Sequence, residues 1–229
     1  MRKLAIVGYG KMGKLIEQLA PEYDFEVALK LDEFNNPEGA GLTAGNFAGI
    51  DVAIEFSIPA AVPGNVEGIG ALGVPLVVGT TGWLEHMDRV KRAIEEHHTG
   101  LVWSPNFSIG VNVFFRLVAE AARLLAAEPA YGAWAWEIHH SAKKDAPSGT
   151  LLKLVEEMKK AGYARPIDVG SNRAGTVPGT HEIGFDSGAD TITLRHTARS
   201  REGFARGALK AAQWIAGKKG FYEFSEIEF

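Results

Sequence analysis

The chain contains no cysteine among its 229 residues. It therefore cannot form a disulfide framework, and it offers neither a thiol nucleophile nor a thiolate ligand for a metal. It also lacks an uninterrupted apolar run of about 18 residues, and its first residues resemble a strand rather than a signal peptide. The sequence therefore predicts a cytoplasmic protein with no membrane partner.

A surplus of positive charge is also missing. Lysine and arginine total 24 against 28 acidic residues, which gives a formal net charge of −4. The basic residues are dispersed along the chain and form no stripe, so we expect no nucleic-acid partner. With 46% hydrophobic residues, the chain can bury a substantial core.

The first motif that is present is a glycine-rich turn between a strand and a helix. An apolar strand is predicted over 3–7, and the helix over 14–20. A second strand over 25–31 is followed by Asp32, at the spacing where dinucleotide-binding proteins carry an acid for the ribose hydroxyls. This order favours a dinucleotide site over a purely structural turn. The turn matches G-x-G-x-x-G and consists of Gly8, Tyr9, Gly10, Lys11, Met12 and Gly13.

Further strands, predicted over 51–56, 76–78 and 101–103, alternate with helices, including one over 85–98. Such alternation is typical of a parallel sheet that binds ligands at the carboxyl ends of its strands. Turn-forming residues also occur at these positions for purely local reasons, so a structural role stays open for each. The predicted cofactor contacts after these strands are Phe56, Ser57, Gly79, Thr80, Thr81, Pro105, Asn106 and Phe107.

The second half of the chain has a different pattern. Elements are predicted in the order helix, strand, helix, glycine-rich stretch, two antiparallel strands and a closing helix, over 111–127, 134–139, 151–160, 170–179, 180–186, 191–196 and 202–216. We therefore predict an α/β protein with two domains. The first is a Rossmann-type parallel-sheet domain built from 1–108 and 200–229, and the second is an α+β domain over 109–199 with a mixed or antiparallel sheet.

The second motif lies between the strand that ends at His139 and the helix that starts near 151. It reads Glu137-Ile-His-His-Ser-Ala-Lys-Lys-Asp-Ala-Pro-Ser-Gly-Thr150. Free amides at the start of the helix attract a carboxylate, and lysines in the loop add charge. Adjacent histidines on a strand point to opposite faces, so we predict no metal site. A capped turn with solvated lysines is the structural alternative.

This second motif resembles the E-x-H-H-x-x-K-x-D-A-P-S-G-T signature of the 4-hydroxy-tetrahydrodipicolinate reductases, the dihydrodipicolinate reductases of bacterial lysine biosynthesis. Every fixed position matches, and the similarity runs nearly from end to end. Supporting matches are the glycine motif and the segments 56–59, 79–82, 105–108 and 200–209. One departure is Thr197, where relatives commonly carry a basic residue, which puts a role for a basic side chain there in doubt.

The resemblance implies an NAD(P)H-dependent reduction of a cyclic imine dicarboxylate, with a second domain that also builds a homotetramer. It implies that His139 donates the proton and that Lys143 is the second catalytic residue. A non-catalytic dinucleotide-binding sensor is the alternative. The residues that it implies for substrate binding are His140, Ser148, Gly149, Thr150 and Thr81.

The acidic pair after the second strand predicts the cofactor preference. Asp32 is expected to bind the ribose hydroxyls, and Glu33 adds a second negative charge where many relatives place an arginine. Two carboxylates repel a 2′-phosphate, although Lys11 in the glycine turn offers a positive charge. The sequence therefore predicts that NADH is preferred and NADPH is still accepted.

Overall fold

The computed structural model describes residues 1–227 of the chain. The elements in chain order are β1 Arg2–Val7, α1 Lys11–Leu19, β2 Phe25–Leu31, β3 Val52–Glu55, α2 Val62–Ala71, β4 Leu76–Val78, α3 Met87–Glu96, β5 Gly100–Trp103, α4 Ile109–Leu125, β6 Gly132–His139, α5 Gly149–Lys160, β7 Ile167–Arg173, β8 Thr180–Asp186, β9 Thr191–Thr197, α6 Glu202–Ile215 and β10 Gly220–Glu223.

The chain divides into two compact units. One consists of Met1–Ser108 together with the chain from Glu202 onward, and the other of Ile109–Arg201. Residues 228 and 229, which belong to the segment predicted over 200–229, lie outside the described residues. The predicted α/β fold class is confirmed. The roles assigned to the two domains stay predictions.

The first unit contains a parallel sheet of six strands in the order β10-β5-β4-β3-β1-β2. Its central strands are buried along their whole length, as in β3 and β4. Continuous apolar strands of this kind are typical of parallel sheets covered on both faces. The five helices predicted with bounds differ from the observed ones at their ends; α1, for example, begins inside the glycine motif at Lys11, and α3 begins at Met87 after a short 3₁₀ turn.

The second unit contains a mixed sheet of four strands in the order β7-β6-β8-β9. Strand β7 pairs parallel with β6, whereas β8 pairs antiparallel with β6 and β9. One face of the sheet packs apolar side chains against α4 and α5. The buried core there includes Val118, Ala135, Leu154, Ile183 and Phe185.

No strand is predicted between 160 and 180, but β7 occupies Ile167–Arg173 and includes the first part of the glycine-rich stretch 170–179. The glycines make room for tryptophans on the neighbouring strand. A Cβ atom at Gly170 would lie 3.0 Å from the Trp136 ring, and one at Gly184 would lie 2.1 Å from the Trp134 ring. Cross-strand packing thus stabilises a strand that lacks an apolar alternation.

The closing segment returns to the first sheet. β10 pairs parallel with β5, and Gly220 lies opposite Gly100. Helix α6 packs closely below the turn that follows β5, since a Cβ atom at Gly207 would lie 1.7 Å from the Phe107 carbonyl oxygen. Within residues 1–227, no helix is long and apolar enough to cross a membrane.

Candidate functional site

The glycine turn after β1 leaves the start of α1 open to a ligand. Gly8 has a φ of +97°, and a Cβ atom there would lie 2.1 Å from the Phe56 carbonyl oxygen. A Cβ atom at Gly13 would lie 2.6 Å from the Gly8 oxygen. At Gly10, by contrast, no atom lies within 4 Å of the Cβ position, and no side chain caps the helix. The first amides of α1 therefore suit an anion such as a pyrophosphate.

A cavity of about 680 Å³ opens beside this turn, at the carboxyl ends of β1, β2 and β3. This volume is typical of small-molecule sites. The predicted cofactor residues that line it are Gly8, Tyr9, Gly10, Asp32, Phe56 and Ser57. The lining does not include Lys11, Met12, Gly13, Gly79, Thr80, Thr81, Pro105, Asn106 or Phe107.

The cavity wall near β2 is acidic. Asp32, Glu33 and Glu38 line it, and no lysine or arginine does. The Asp32 carboxylate accepts hydrogen bonds from the amides of the next residues, the closer at 2.9 Å from Phe34. Lys30 is engaged elsewhere, because its ammonium pairs with Glu17 at 3.0 Å. A dinucleotide in this cavity would therefore meet negative charge at the ribose end of β2.

Two further turns that carry predicted residues pack against the Phe56 ring. A Cβ atom at Gly79 would lie 2.0 Å from that ring, so only glycine fits there. The buried Phe107 ring meets Phe56 edge to face, with ring centroids 6.4 Å apart. Thr80 is buried behind Gly79, whereas Thr81 is exposed. Phe56, Gly79 and Phe107 therefore form one contiguous group at the sheet edge, although only Phe56 lines the cavity.

In the second unit, the histidine motif is centred on the carboxylate of Glu137. The strand register places Glu137 opposite Ser171 on β7 and opposite His181 on β8. Oε1 accepts hydrogen bonds from the Ser148 amide at 2.8 Å, the Ser171 hydroxyl at 2.7 Å and the Arg173 guanidinium at 2.9 Å. Oε2 accepts one from the Ser148 hydroxyl. The side chain is fully buried.

These donors keep Glu137 ionised. Burial raises the pKa of a carboxyl, but hydrogen bonds from Ser148, Ser171 and Arg173 outweigh it and lower the pKa of Glu137 to about 2. A fixed negative charge therefore lies beneath the two histidines that face it.

His139 and His181 meet at this carboxylate. Nε2 of His139 lies 3.2 Å from Oε2 of Glu137, Nε2 of His181 lies 3.3 Å from the same oxygen, and the two nitrogens are 3.3 Å apart. Burial lowers the pKa of both rings, to about 4 for His181; the Glu137 charge raises the pKa of His139, and Lys143 opposes this. Glu137 is thus the group that favours a proton on His139.

The loop after β6 places a lysine close to these histidines. The Lys143 ammonium pairs with the Asp145 carboxylate at 2.8 Å, and the Lys143 amide bonds to the His140 carbonyl. His140 is half-buried and Lys144 is exposed. Arg173 donates to the Asp145 carbonyl as well as to Glu137, so it ties the loop to the sheet. The Ala146–Pro147 peptide is cis.

At the end of the loop, Ser148 caps α5. Its hydroxyl accepts a hydrogen bond from the Leu151 amide at 3.2 Å and donates to Glu137. Ser148 thus has the role of the structural alternative, a helix cap, and its hydroxyl is already hydrogen-bonded. Gly149 is exposed, and no atom lies within 4 Å of its Cβ position. The amides of Gly149 and Thr150 begin the helix and suit a carboxylate.

Sequence reasoning missed several partners of this cluster. Arg173 and Ser171 lie in β7, a strand that the sequence pattern does not predict. Glu137 belongs to the motif, but the sequence indicates no role for it. His181 lies on a predicted strand, where its place opposite Glu137 follows only from the register. At the departing position, the Thr197 hydroxyl lies 3.1 Å from the Thr180 hydroxyl.

Glu137, His139 and His181 also have the composition of a metal site, since their ligand atoms lie within 4.8 Å of one another. The hydrogen bonds of Glu137 account for this geometry without a metal, because a serine hydroxyl and an arginine guanidinium already use the carboxylate. The absence of a metal stays a prediction.

The parallel sheet, the glycine turn and the cavity define a Rossmann-type dinucleotide-binding protein. Comparison with known proteins specifies this class further. Residues 2–107 match the family model "Dihydrodipicolinate reductase, N-terminus", and residues 110–227 match "Dihydrodipicolinate reductase, C-terminus".

Individual relatives agree. The chain is 35% identical to the 4-hydroxy-tetrahydrodipicolinate reductase of Christiangramia forsetii, over 98% of this chain and 96% of that protein. It is 33% identical to that of Methanosarcina mazei, over 99% of each. A dipicolinate-bound dihydrodipicolinate reductase from Paenisporosarcina sp. TG-14 shares the fold, with a TM-score of 0.83 and 22% identity over the full length of both chains.

The chain therefore belongs to the dihydrodipicolinate reductase family, which places it among the NAD(P)H-dependent oxidoreductases.

Proposed function

We propose that the protein is a 4-hydroxy-tetrahydrodipicolinate reductase, which reduces the cyclic imine dicarboxylate to tetrahydrodipicolinate in the diaminopimelate route to lysine. The observation that carries this proposal is the arrangement in the second unit. An imidazole on a buried carboxylate, an ammonium and an open helix start occur within one motif. This arrangement suits protonation of a substrate that also presents a carboxylate.

The cofactor residues fit a dinucleotide. The α1 amides beside Gly10 would hold the pyrophosphate, and Asp32 would accept hydrogen bonds from the ribose hydroxyls. When bound, the reduced nicotinamide supplies a hydride. The remaining steps, proton delivery and charge balance, fall to side chains of the second unit.

His139 is the proposed proton donor, and Glu137 supports it. The carboxylate lies 3.2 Å from Nε2 and stabilises the protonated ring against burial and against the charge of Lys143. Loss of the proton to substrate then leaves a neutral ring, which the buried setting favours. The Glu137 carboxylate therefore favours protonation of His139, and burial favours release of the proton to substrate.

Lys143, Gly149 and Thr150 are the proposed carboxylate-binding group. The ammonium of Lys143 already pairs with Asp145, so a substrate carboxylate would share or replace that partner. The amides at the start of α5 add dipolar attraction without a second full charge. His140, half-buried beside Lys143, and Thr81, exposed in the first unit, are the further proposed substrate contacts.

The test is oxidation of NADH, followed by its absorbance, with substrate made freshly by the preceding synthase. A reductase consumes NADH only when the imine is present. A sensor binds NADH but leaves it reduced, and that outcome would refute the proposal.

Two variants locate the chemistry. His139→Ala should lower kcat by about 10²–10⁴ and leave NADH binding intact. Lys143→Ala should affect both kcat and KM, whereas Lys144→Ala, on the exposed neighbour, serves as the matched control and should be nearly silent.

We further propose that NADH is preferred over NADPH. Three acids line the cavity near β2, and Lys30 is paired with Glu17. These carboxylates would repel a 2′-phosphate, and no lysine or arginine lines the cavity to offset the repulsion. The kcat/KM values for both cofactors test this, and a tenfold preference for NADPH would contradict it. Glu33→Arg should shift the ratio towards NADPH.

A homotetramer built through the second unit is also proposed. Trp134, Trp136 and Ile138 alternate with the buried positions of β6 and are only half-buried in the single chain. Light scattering on the purified protein gives the mass that tests it. The predicted cytoplasmic location and the lack of nucleic-acid and membrane partners stay predictions.

A further inference from the structure

The first unit contains a buried carboxyl group that the proposed chemistry does not use. Glu55 ends β3, and its side chain has no exposed surface. Its Oε1 atom accepts hydrogen bonds from the Ser57 amide at 3.1 Å, the Ser57 hydroxyl and the Asn65 amide group at 3.3 Å. All these donors converge on one oxygen. The other oxygen, Oε2, has no hydrogen-bond partner.

A second buried group without a partner lies next to it. The Thr80 hydroxyl makes no hydrogen bond of normal geometry. It is nevertheless near enough to Glu55 for a weak hydrogen bond to that carboxyl, which lowers the carboxyl pKa and partly offsets the effect of burial. The Thr80 main chain is fixed from the other side, because the Trp83 indole donates to its carbonyl at 2.8 Å. The two groups without partners, one carboxyl oxygen and one hydroxyl, are thus buried neighbours.

These neighbours belong to two turns at the carboxyl edge of the sheet. Ser57 belongs to the turn 56–59, which lines the cavity, and Thr80 belongs to the turn 79–82. The turns already touch, since the Gly79 amide donates to the Glu55 carbonyl at 2.8 Å and the Phe56 ring fills the space beside Gly79. A bond between Glu55 and Thr80 would join them through side chains as well.

The charge balance indicates which form of Glu55 makes that bond. The side chains that face the carboxyl are Ser57, Asn65 and Thr80, and none of them is charged. Among residues 1–227, no ion pair includes Glu55. A buried carboxylate without a cation is costly, and burial accordingly raises its pKa. A protonated Oε2 would donate to the Thr80 oxygen without any buried charge, whereas an ionised Oε2 could accept from the Thr80 hydroxyl only as a buried charge without a cation.

We propose that Glu55 is a positioning residue that, as a protonated carboxylic acid, ties the turn 56–59 to the turn 79–82 and so holds the dinucleotide site in shape. The inference rests on the proposed function, because it assumes that the cofactor binds at these turns. Glu55 itself does not contact the cofactor in this account. Its ionisation at high pH would place a buried charge without a cation between the two turns, which would destabilise their packing and weaken binding.

Direct NADH binding to the full-length protein tests this, without turnover. Glu55→Gln keeps the shape, donates to Thr80 and cannot ionise, so its Kd should stay within about 2–3-fold of the parent value. Glu55→Met keeps the length without hydrogen bonds and should weaken Kd about tenfold or more. Glu96→Gln, on the exposed face of α3, is the matched control and should change nothing.

A pH profile separates positioning from a general loss of structure. NADH affinity of the parent protein should fall at alkaline pH, and that of Glu55→Gln should not. If Glu55→Met does not fold, Thr80→Val decides: it removes the partner of Oε2 and should weaken Kd at least about threefold.

Each other result overturns the inference. If Glu55→Gln binds NADH as poorly as Glu55→Met, the site needs a carboxylate. If Glu55→Met binds as tightly as the parent, there is no tie. Failure of the parent protein to bind either NADH or NADPH would refute the proposed function instead, which keeps the two failures distinct.

Discussion

Glu55 in the first unit and Glu137 in the second are alike in position, but their pKa values are shifted in opposite directions. Both lie at or near the carboxyl end of a strand, and both side chains are fully buried. Each accepts hydrogen bonds from the amide and the hydroxyl of a single serine, Ser57 or Ser148. The pKa of Glu55 is nevertheless raised, whereas that of Glu137 falls to about 2.

The difference has two causes. Glu55 lies deeper inside the protein than Glu137, so burial raises its pKa more strongly. Glu137 also accepts hydrogen bonds from the Ser171 hydroxyl and the Arg173 guanidinium, whereas the further groups that face Glu55 are neutral. A serine clamp alone therefore does not overcome the cost of burying a carboxylate. An added cation and a further hydroxyl do. The second unit can keep a charge for proton chemistry, and the first gains a neutral link between turns.

Arg173→Met should have the largest effect, because it leaves the Glu137 charge buried without its cation. We expect a loss of about 3–5 kcal/mol in the free energy of unfolding, measured by urea denaturation. The control is Arg195→Met, whose partner Glu182 lies 3.7 Å away at the surface, and it should cost less than about 1 kcal/mol. Equal losses in the two variants would contradict the comparison.

Acid should destabilise the protein through the Glu137 cluster. The pKa of Glu137 drops from 4.5 to about 2, so its contribution is complete above 4.5 and is lost as pH falls towards 2. That contribution is on the order of 3 kcal/mol. The pKa of His181 is lowered from 6.5 to about 4, so stability begins to fall at a higher pH, where the unfolded chain already binds a proton at this residue and the folded chain does not.

Thermal unfolding between about pH 7 and 3 measures this decline. Glu137→Gln should flatten its lower part, since the amide does not titrate. An unchanged acid limb in that variant would show that other groups cause the loss.

The variants Glu137→Gln and Glu55→Gln compare the two carboxyl groups at a single pH through their free energies of unfolding. Glu137→Gln removes the anion that Arg173 faces and should cost about 1–3 kcal/mol. Glu55→Gln replaces one neutral group by another and should cost less than about 1 kcal/mol. Denaturation midpoints at neutral pH give both values. A larger loss for Glu55→Gln would reverse the assignment of charge.

The smallest effect should be a loss of stability as pH rises. Folded Glu55 holds its proton above the usual carboxyl range, where the unfolded chain has released it, so stability declines with pH through that interval. One proton limits the slope to about 1.4 kcal/mol per pH unit. The difference between the parent protein and Glu55→Gln isolates this term, and identical pH slopes would show that Glu55 ionises normally.

Much of the fold follows from local pattern. The strands over 25–31, 76–78 and 180–186 have the predicted bounds, because apolar or alternating runs there end at glycine or polar residues. Strand β7 has no such pattern. It forms because Gly170 accommodates the Trp136 ring of a neighbour, a contact that exists only once the strands pair.

The candidate site also has a part that follows from local sequence and a part that depends on strand pairing. The glycine turn and the start of α5 are predictable, since the groups that matter are adjacent in the chain. Arg173 lies 36 residues from Glu137 and meets it only through the register of β6 and β7. The pKa of a buried carboxyl depends on such distant partners. Neither the lowered pKa of Glu137 nor the raised pKa of Glu55 can therefore be predicted from the residues next to it in the chain.

The return of the chain to its first sheet has a consequence for biosynthesis. Strand β5 remains an open edge until β10 arrives, and α6 is made only after the whole of Ile109–Arg201 has emerged. The second unit is contiguous and can fold first, while the first unit waits for contacts of long sequence separation, which slow folding. A nascent chain stalled before Glu202 would therefore present an unpaired strand edge to its neighbours, which makes the pairing of β10 with β5 a safeguard against aggregation.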